Sequence, residues 1–174
     1  MELKIKQERW RIFQLNAKVI GKLQGASLMA YCGLYGGQVI AGYGRWRDTI
    51  TPYAYAIVDF LDLVGDARDE PASRLCVLPK NKGVDIYLTN HAPLWRERGI
   101  NGHHQVPEAK DEWIRASTSL AEQKFSLTAD YKAFKEDARK IDRLLNKIGT
   151  IAERQQVKEG PAVRLPRGWE AENA

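Results

Sequence analysis

The strongest constraint on this chain lies between residues 127 and 152. There Leu127, Tyr131, Phe134, Ala138, Ile141, Leu145, Ile148 and Ala152 recur at alternating spacings of four and three. An α-helix places residues at that period on one face, so a long amphipathic helix is expected, with Ser126 or Thr128 as its cap and Gly160 and Pro161 ending it. Just upstream, Pro107, Glu108, Asp111 and Glu112 suit the first turn of a second helix that carries Ala109, Trp113, Ala116 and Leu120 inward. Together the two predict an antiparallel helical hairpin over 107–158. Its seam packs on the rest of the chain or docks on a partner protein or a second copy. In the docking case Tyr131, Phe134, Ile141, Leu145 and Ile148 are the partner-binding residues.

The first two-thirds reads as α+β. Residues 8–23 carry Trp10, Phe13, Ala17 and Ile20 at helical spacing, with a second row at Ile12, Leu15, Val19 and Leu23, which predicts a broad-faced helix, with a strand over the first few residues as the alternative. Residues 26–44 are uncharged and glycine-rich, and read as a buried helix, a loosened turn and a strand through QVIAGYGRW. Their five glycines, with Ser27 and Gln38, leave them too weakly apolar for a membrane span. Thr51, Pro52 and Gly65 bracket a helix that is apolar almost all round and therefore central. RLCVLP and VDIYL flank PKNKG as a hairpin with Lys80 and Lys82 at its tip. The expected architecture is a small mixed or antiparallel sheet covered by helices, divided into an α+β core at 1–106, the helical hairpin at 107–158 and a flexible tail at 159–174.

Charge narrows the choice of partner. Twenty-seven Lys and Arg against 22 Asp and Glu give the 174-residue chain a net charge of +5. The excess concentrates in residues 1–50, with eight basic side chains against three acidic ones. Such a field favours polyanions or an acidic protein surface. Cys32 and Cys76 alone make neither a disulfide framework nor a zinc site, and the charged start MELKIKQERW has no apolar signal core, so a cytoplasmic, reduced protein without cofactor or metal is expected.

Tryptophan sits beside arginine repeatedly, as RWR at 9–11, RWR at 45–47 and LWRER at 94–98. If 38–47 is a strand, Tyr43, Arg45 and Arg47 share one face while Ile40 and Trp46 share the other. An aromatic ring beside two guanidinium groups suits single-stranded nucleic acid, bound by stacking and phosphate contact. Tyr43, Arg45, Arg47, Lys80, Lys82, Arg96 and Arg98 are therefore the candidate nucleic-acid contacts, provided the fold gathers them. The plainer reading is that arginine stems cover buried indoles at the edge of a core. These residues predict a non-catalytic, nucleic-acid-contacting accessory subunit of a larger complex, favouring single strands, with the C-terminal helices attaching a partner. Two alternatives stand beside it. One is a protein-interaction module that uses only the helical seam. The other is a small metal-dependent hydrolase or nuclease built on His91, His103 and His104, although their spacing matches no metal motif. Asp59 and Asp62, three apart on the apolar helix, form either a metal-binding pair or an acidic stripe facing nearby arginines. The glycine runs match neither a phosphate-binding loop nor a dinucleotide turn.

Overall fold

The computed structural model describes residues 12–22, 25–64, 73–77, 81–98, 108–127 and 135–172. Strands β1 (Ile12–Lys22), β2 (Ser27–Tyr35) and β3 (Gln38–Trp46) form an antiparallel meander, followed by helix α1 (Thr51–Val64) and strand β4 (Ser73–Val77). A continuous helical run comes next, comprising α2 (Lys82–Ile86), a π-helical turn (Tyr87–His91) and α3 (Ala92–Arg98). Helix α4 (Lys110–Ala121), strand β5 (Phe125–Leu127), helix α5 (Lys135–Glu153), strand β6 (Val163–Arg164) and the short α6 (Trp169–Glu172) complete the order. The sheet runs β5-β4-β1-β2-β3-β6, with β4 parallel to β1 and β5 parallel to β4. This is the expected α+β class with a mixed sheet covered by helices.

Each face of the sheet has its own core. Phe13, Leu15, Met29, Tyr31 and Trp46 pack under α1, the helical run and α4, joined by Ile57, Leu88 and Trp113. Leu28, Ala30, Cys32, Ala41 and Tyr43 pack on the opposite face under Ile141, Leu145 and Ile148 of α5 and under Trp169. The strand residues alternate between the two cores at period two, as the pleat requires. Two strand glycines follow from this packing. A Cβ on Gly33 would lie 2.2 Å from the Phe13 ring, and one on Gly42 would lie 2.4 Å from the Tyr31 hydroxyl. A strand position overlaid so closely by a ring has no room for a side chain.

Several expectations are corrected. Residues 12–22 are a strand rather than a helix, and 27–35 are a strand rather than a buried helix. Helices cover both faces of β2, which is uninterruptedly apolar after Ser27, whereas in β1 Phe13, Leu15, Ala17 and Val19 alternate with Gln14, Asn16 and Lys18, the period-two signal of a strand. VDIYL belongs to the helical run, not to a hairpin, because Asn81 caps a helix by accepting from the Gly83 N–H at 2.9 Å. The helical hairpin does not form. Trp113 and Ala116 of α4 belong to one core and Ile141 and Ile148 of α5 to the other, so the sheet lies between the two helices. Ile141, Leu145 and Ile148 are at most 1% exposed beneath their own sheet, so they face inward instead of toward a partner. Tyr131 and Phe134 lie outside the described residues. In the segment read as a flexible tail, β6 pairs with β3 and Trp169 is 2% exposed. Among the described residues no helix is long and apolar enough to cross a membrane.

Candidate functional site

The sequence-level candidates occupy two places. At the end of β3, all three residues of the second RWR hold the chain that follows α5. Arg45 Nε donates to the Val157 carbonyl at 2.7 Å, and Trp46 Nε1 donates to the Gly160 carbonyl at 2.7 Å. Arg47 Nε lies 3.6 Å from a Glu159 carboxylate oxygen, a surface pair of little energetic weight. Trp46 also stacks on Tyr55, with ring centroids 5.2 Å apart. Tyr43 is 5% exposed in the core beneath α5, so the stacking platform expected on this face does not exist. Among the remaining candidates, Lys82 is exposed at the start of α2, and Arg96 Nη1 donates to Thr118 Oγ1 at 3.2 Å. Lys80 and the side chain of Arg98 lie outside the described residues.

The acidic pair on α1 faces arginines, as the plainer reading expected. Asp59 accepts from the Tyr31 hydroxyl at 2.6 Å and from Arg164 Nε of β6, and Asp62 accepts from Arg115 Nη2 at 2.6 Å. Burial pushes the Asp59 carboxyl above its ordinary value, while the hydrogen bonds from Tyr31 and Arg164 pull it down. The Tyr31 phenol is pushed up by burial and by the adjacent carboxylate. A cleft of about 310 Å³ opens beside this network, between the β3 edge at Gln38–Ala41, Asp59 and Asp62 of α1, and Arg164 and Arg167.

The second place follows from topology. In open sheets with parallel strands, ligands bind outside the carboxyl ends of neighbouring strands whose connections leave in different directions. Parallel β1 and β4 are such a pair. Their ladder ends at Leu15 and Val77, after which β1 continues to pair with β2 while the chain from β4 turns into the helical run. Asn16, the next residue of β1, and Asn81, at the start of the helical run, meet there at Tyr53 from the first turn of α1. Tyr53 Oη donates to Asn16 Oδ1 at 3.2 Å. Burial pushes the Tyr53 phenol up, and hydrogen bonds from the Asn81 side chain and the Ala17 backbone draw it partly back. Nearby, Glu108 holds the entry to α1. Its carboxylate accepts from the Arg47 N–H at 2.8 Å, the Asp48 N–H at 2.7 Å and Thr51 Oγ1 at 3.3 Å, at a helix end where negative charge is favoured.

None of Asn16, Tyr53, Asn81 or Glu108 was singled out as a site residue from sequence. The available signals were weak: Asn16 is one of several polar residues in β1, beside Gln14 and Lys18, and Asn-Lys-Gly marks a helix start. The histidine reading gains no support from placement. His91 is exposed on the π-helical turn, stacked 6.0 Å from Trp95 and 5.2 Å from Tyr87, and His103 and His104 lie outside the described residues.

No protein-family model matches the sequence, and no curated protein matches it significantly. Solved structures match the fold. A foamy viral protease-reverse transcriptase in complex with an RNA/DNA hybrid aligns over 83% of this chain at 10% identity and a TM-score of 0.55. The aligned region is 20% of that protein's length. The foamy viral enzyme in complex with double-stranded DNA aligns over 83% of this chain and 96% of the other at 10% identity, with a TM-score of 0.52. LC9-RNase H1, a type 1 RNase H with the type 2 active-site motif, aligns over 94% of this chain and 81% of its own at 10% identity and a TM-score of 0.52. These likenesses overturn the expectation of a non-catalytic accessory subunit, and with it that of a chain outside the enzyme classes, because the shared fold is that of hydrolytic RNase H domains.

Nuclease folds commonly work with divalent metal ions, which need oxygen ligands, carboxylates above all. Among the described residues no group of three or more His, Cys, Asp or Glu could hold a metal ion. The donors at the crevice do not fit one either. Asn16 Oδ1 accepts from the Ala17 N–H at 2.8 Å and Asn81 Oδ1 from the Gly83 N–H at 2.9 Å, so both amide oxygens are turned to their own backbone. The chain takes the RNase H fold, with amides and a phenol at the β1–β4 crevice.

Proposed function

We propose that this chain is a nuclease-fold domain that binds nucleic acid, with the β1–β4 crevice as the contact region and a duplex, RNA/DNA hybrid or DNA, as the ligand. The observation that carries this reading is the parallel β1–β4 pair opening on Asn16, Tyr53 and Asn81, in a fold shared with proteins solved bound to an RNA/DNA hybrid and to double-stranded DNA. The net charge of +5 supports a polyanionic ligand. The expected preference for single strands gives way to a duplex, because burial of Tyr43 removes the ring on which splayed bases were to stack.

The test is a set of anisotropy titrations of the full chain with a hybrid, a DNA duplex and a single strand at several salt concentrations. Both duplexes are expected to bind more tightly than the single strand. Log affinity should fall linearly with log salt, by roughly 0.9 per phosphate neutralised. Salt-independent binding, or a preference for the single strand, contradicts the proposal.

A further inference from the structure

We infer that Asn16 and Asn81 contact a phosphodiester oxygen directly through their side-chain NH2 groups, at the crevice outside the carboxyl ends of parallel β1 and β4. The inference rests on the nucleic-acid reading above and specifies its chemistry.

An asparagine amide offers one acceptor end and one donor end, and which end faces a ligand depends on what holds the other. Here the local backbone fixes that orientation. The Ala17 and Gly83 N–H groups are donors, so the atoms facing them at 2.8 Å and 2.9 Å must be the amide oxygens. Tyr53 Oη adds a third constraint by donating to Asn16 Oδ1 as well. With the oxygens fixed, the Asn16 NH2 is directed away from these backbone contacts, and the Asn81 NH2 donates one hydrogen to Tyr53 Oη and keeps the other. Among the described residues nothing accepts from the Asn16 NH2, and Asn16 and Asn81 are each only partly buried. Tyr53, 6% exposed, links the two side chains and limits their freedom to rotate.

Such a cluster attracts acceptors and repels cations. Phosphate oxygens are the abundant acceptors along a nucleic-acid backbone, and asparagine side chains are ordinary donors to them. Because the donors are held before the ligand arrives, little side-chain freedom is lost on binding. Exposed Lys82, next in the chain to Asn81, adds positive charge at the same position.

The experiment measures binding of an RNA/DNA hybrid to the full chain in EDTA and in magnesium, alongside Asn16→Asp and Asn81→Asp. Aspartate keeps an oxygen for the Ala17 or Gly83 N–H, and at residue 81 it remains a good helix cap, so thermal melts should stay close to the parent. The parent is expected to bind equally in EDTA and in magnesium. Each variant should bind about tenfold more weakly in EDTA, the loss of one hydrogen bond plus the repulsion between carboxylate and phosphate, and recover partly when magnesium screens the new charge. Manganese added to the free parent should leave NMR signals near residues 16 and 81 unbroadened. If the parent binds the hybrid only with magnesium, if manganese broadens those signals, or if both variants bind as tightly as the parent, the inference falls while the nucleic-acid reading stands. Absence of hybrid binding in either condition overturns both.

Discussion

The β3 edge and the β1–β4 crevice both hold polar side chains in internal hydrogen bonds, toward different ends. At the edge, Arg45 Nε, Trp46 Nε1 and Arg164 Nε donate to Val157, Gly160 and Asp59 of the same chain, while Arg45 Nη1 is buried without a partner among the described residues. These contacts cover a strand that would otherwise offer unpaired backbone groups to other molecules. At the crevice the oxygens of Asn16 and Asn81 accept from their own backbone and the Asn81 NH2 also donates to Tyr53, which leaves the Asn16 NH2 and a second Asn81 hydrogen for a ligand. What separates the two is whether a leftover donor is itself buried, as Arg45 Nη1 is, or sits on a partly exposed side chain, as at Asn16.

The largest break in that comparison comes from Trp46→Ala. Removing a 2% exposed indole that stacks on Tyr55 and donates to Gly160 should lower stability by about 3–5 kcal/mol, read by denaturant unfolding. Under conditions where the variant stays folded, its hybrid affinity should match the parent. A loss of affinity in that folded state would make the edge part of the binding surface.

Arg164→Ala is milder and depends on pH. It leaves the Asp59 side chain, 10% exposed, without its cation, while Arg164 itself is 51% exposed. The cost should be about 1–2 kcal/mol near neutrality, below the full penalty for an orphaned buried group because solvent screens the pair. The folded-state value for Asp59 lies above its ordinary 3.8, so protonation favours the folded state. The stability this group contributes is complete below 3.8 and is lost as pH rises through the folded value. Deleting Arg164 removes a lowering influence and raises the folded value further. The deficit of the variant against the parent should therefore shrink as pH falls, measured by melts across the acid range. A deficit that grows on acidification would remove Arg164 as the partner that keeps Asp59 charged.

Parts of this molecule were legible in its sequence for identifiable reasons. The α1 helix was legible because Thr51 and Pro52 mark its start and its apolar run has one acidic stripe. The α5 seam was legible from Ile141, Leu145 and Ile148, whose spacing states which face is buried but not what buries it. Strand β1 alternates Phe13, Leu15, Ala17 and Val19 with Gln14, Asn16 and Lys18, a strand signal overridden because Phe13, Ala17 and Ile20 also fit helical spacing. Strand β2, by contrast, was hidden because Met29 and Leu28 face opposite cores. An apolar run covered on both sides has no period that separates strand from helix. The crevice was hidden for another reason. Asn16, Tyr53 and Asn81 lie far apart in the chain and form no local motif, and only the parallel pairing of β1 with β4 brings them together. The RWR at 45–47 was visible as a motif but misread, because its partners at 157–160 are more than a hundred residues away.

The central claim is that nucleic acid meets the crevice and not the β3 edge, and hydrogen exchange of the full chain with and without an RNA/DNA hybrid tests it most directly. The account predicts slowed exchange at residues 16–18, 53–55 and 81–84, with 38–43 and 157–165 unchanged. Protection confined to 38–43 and 157–165 would contradict it.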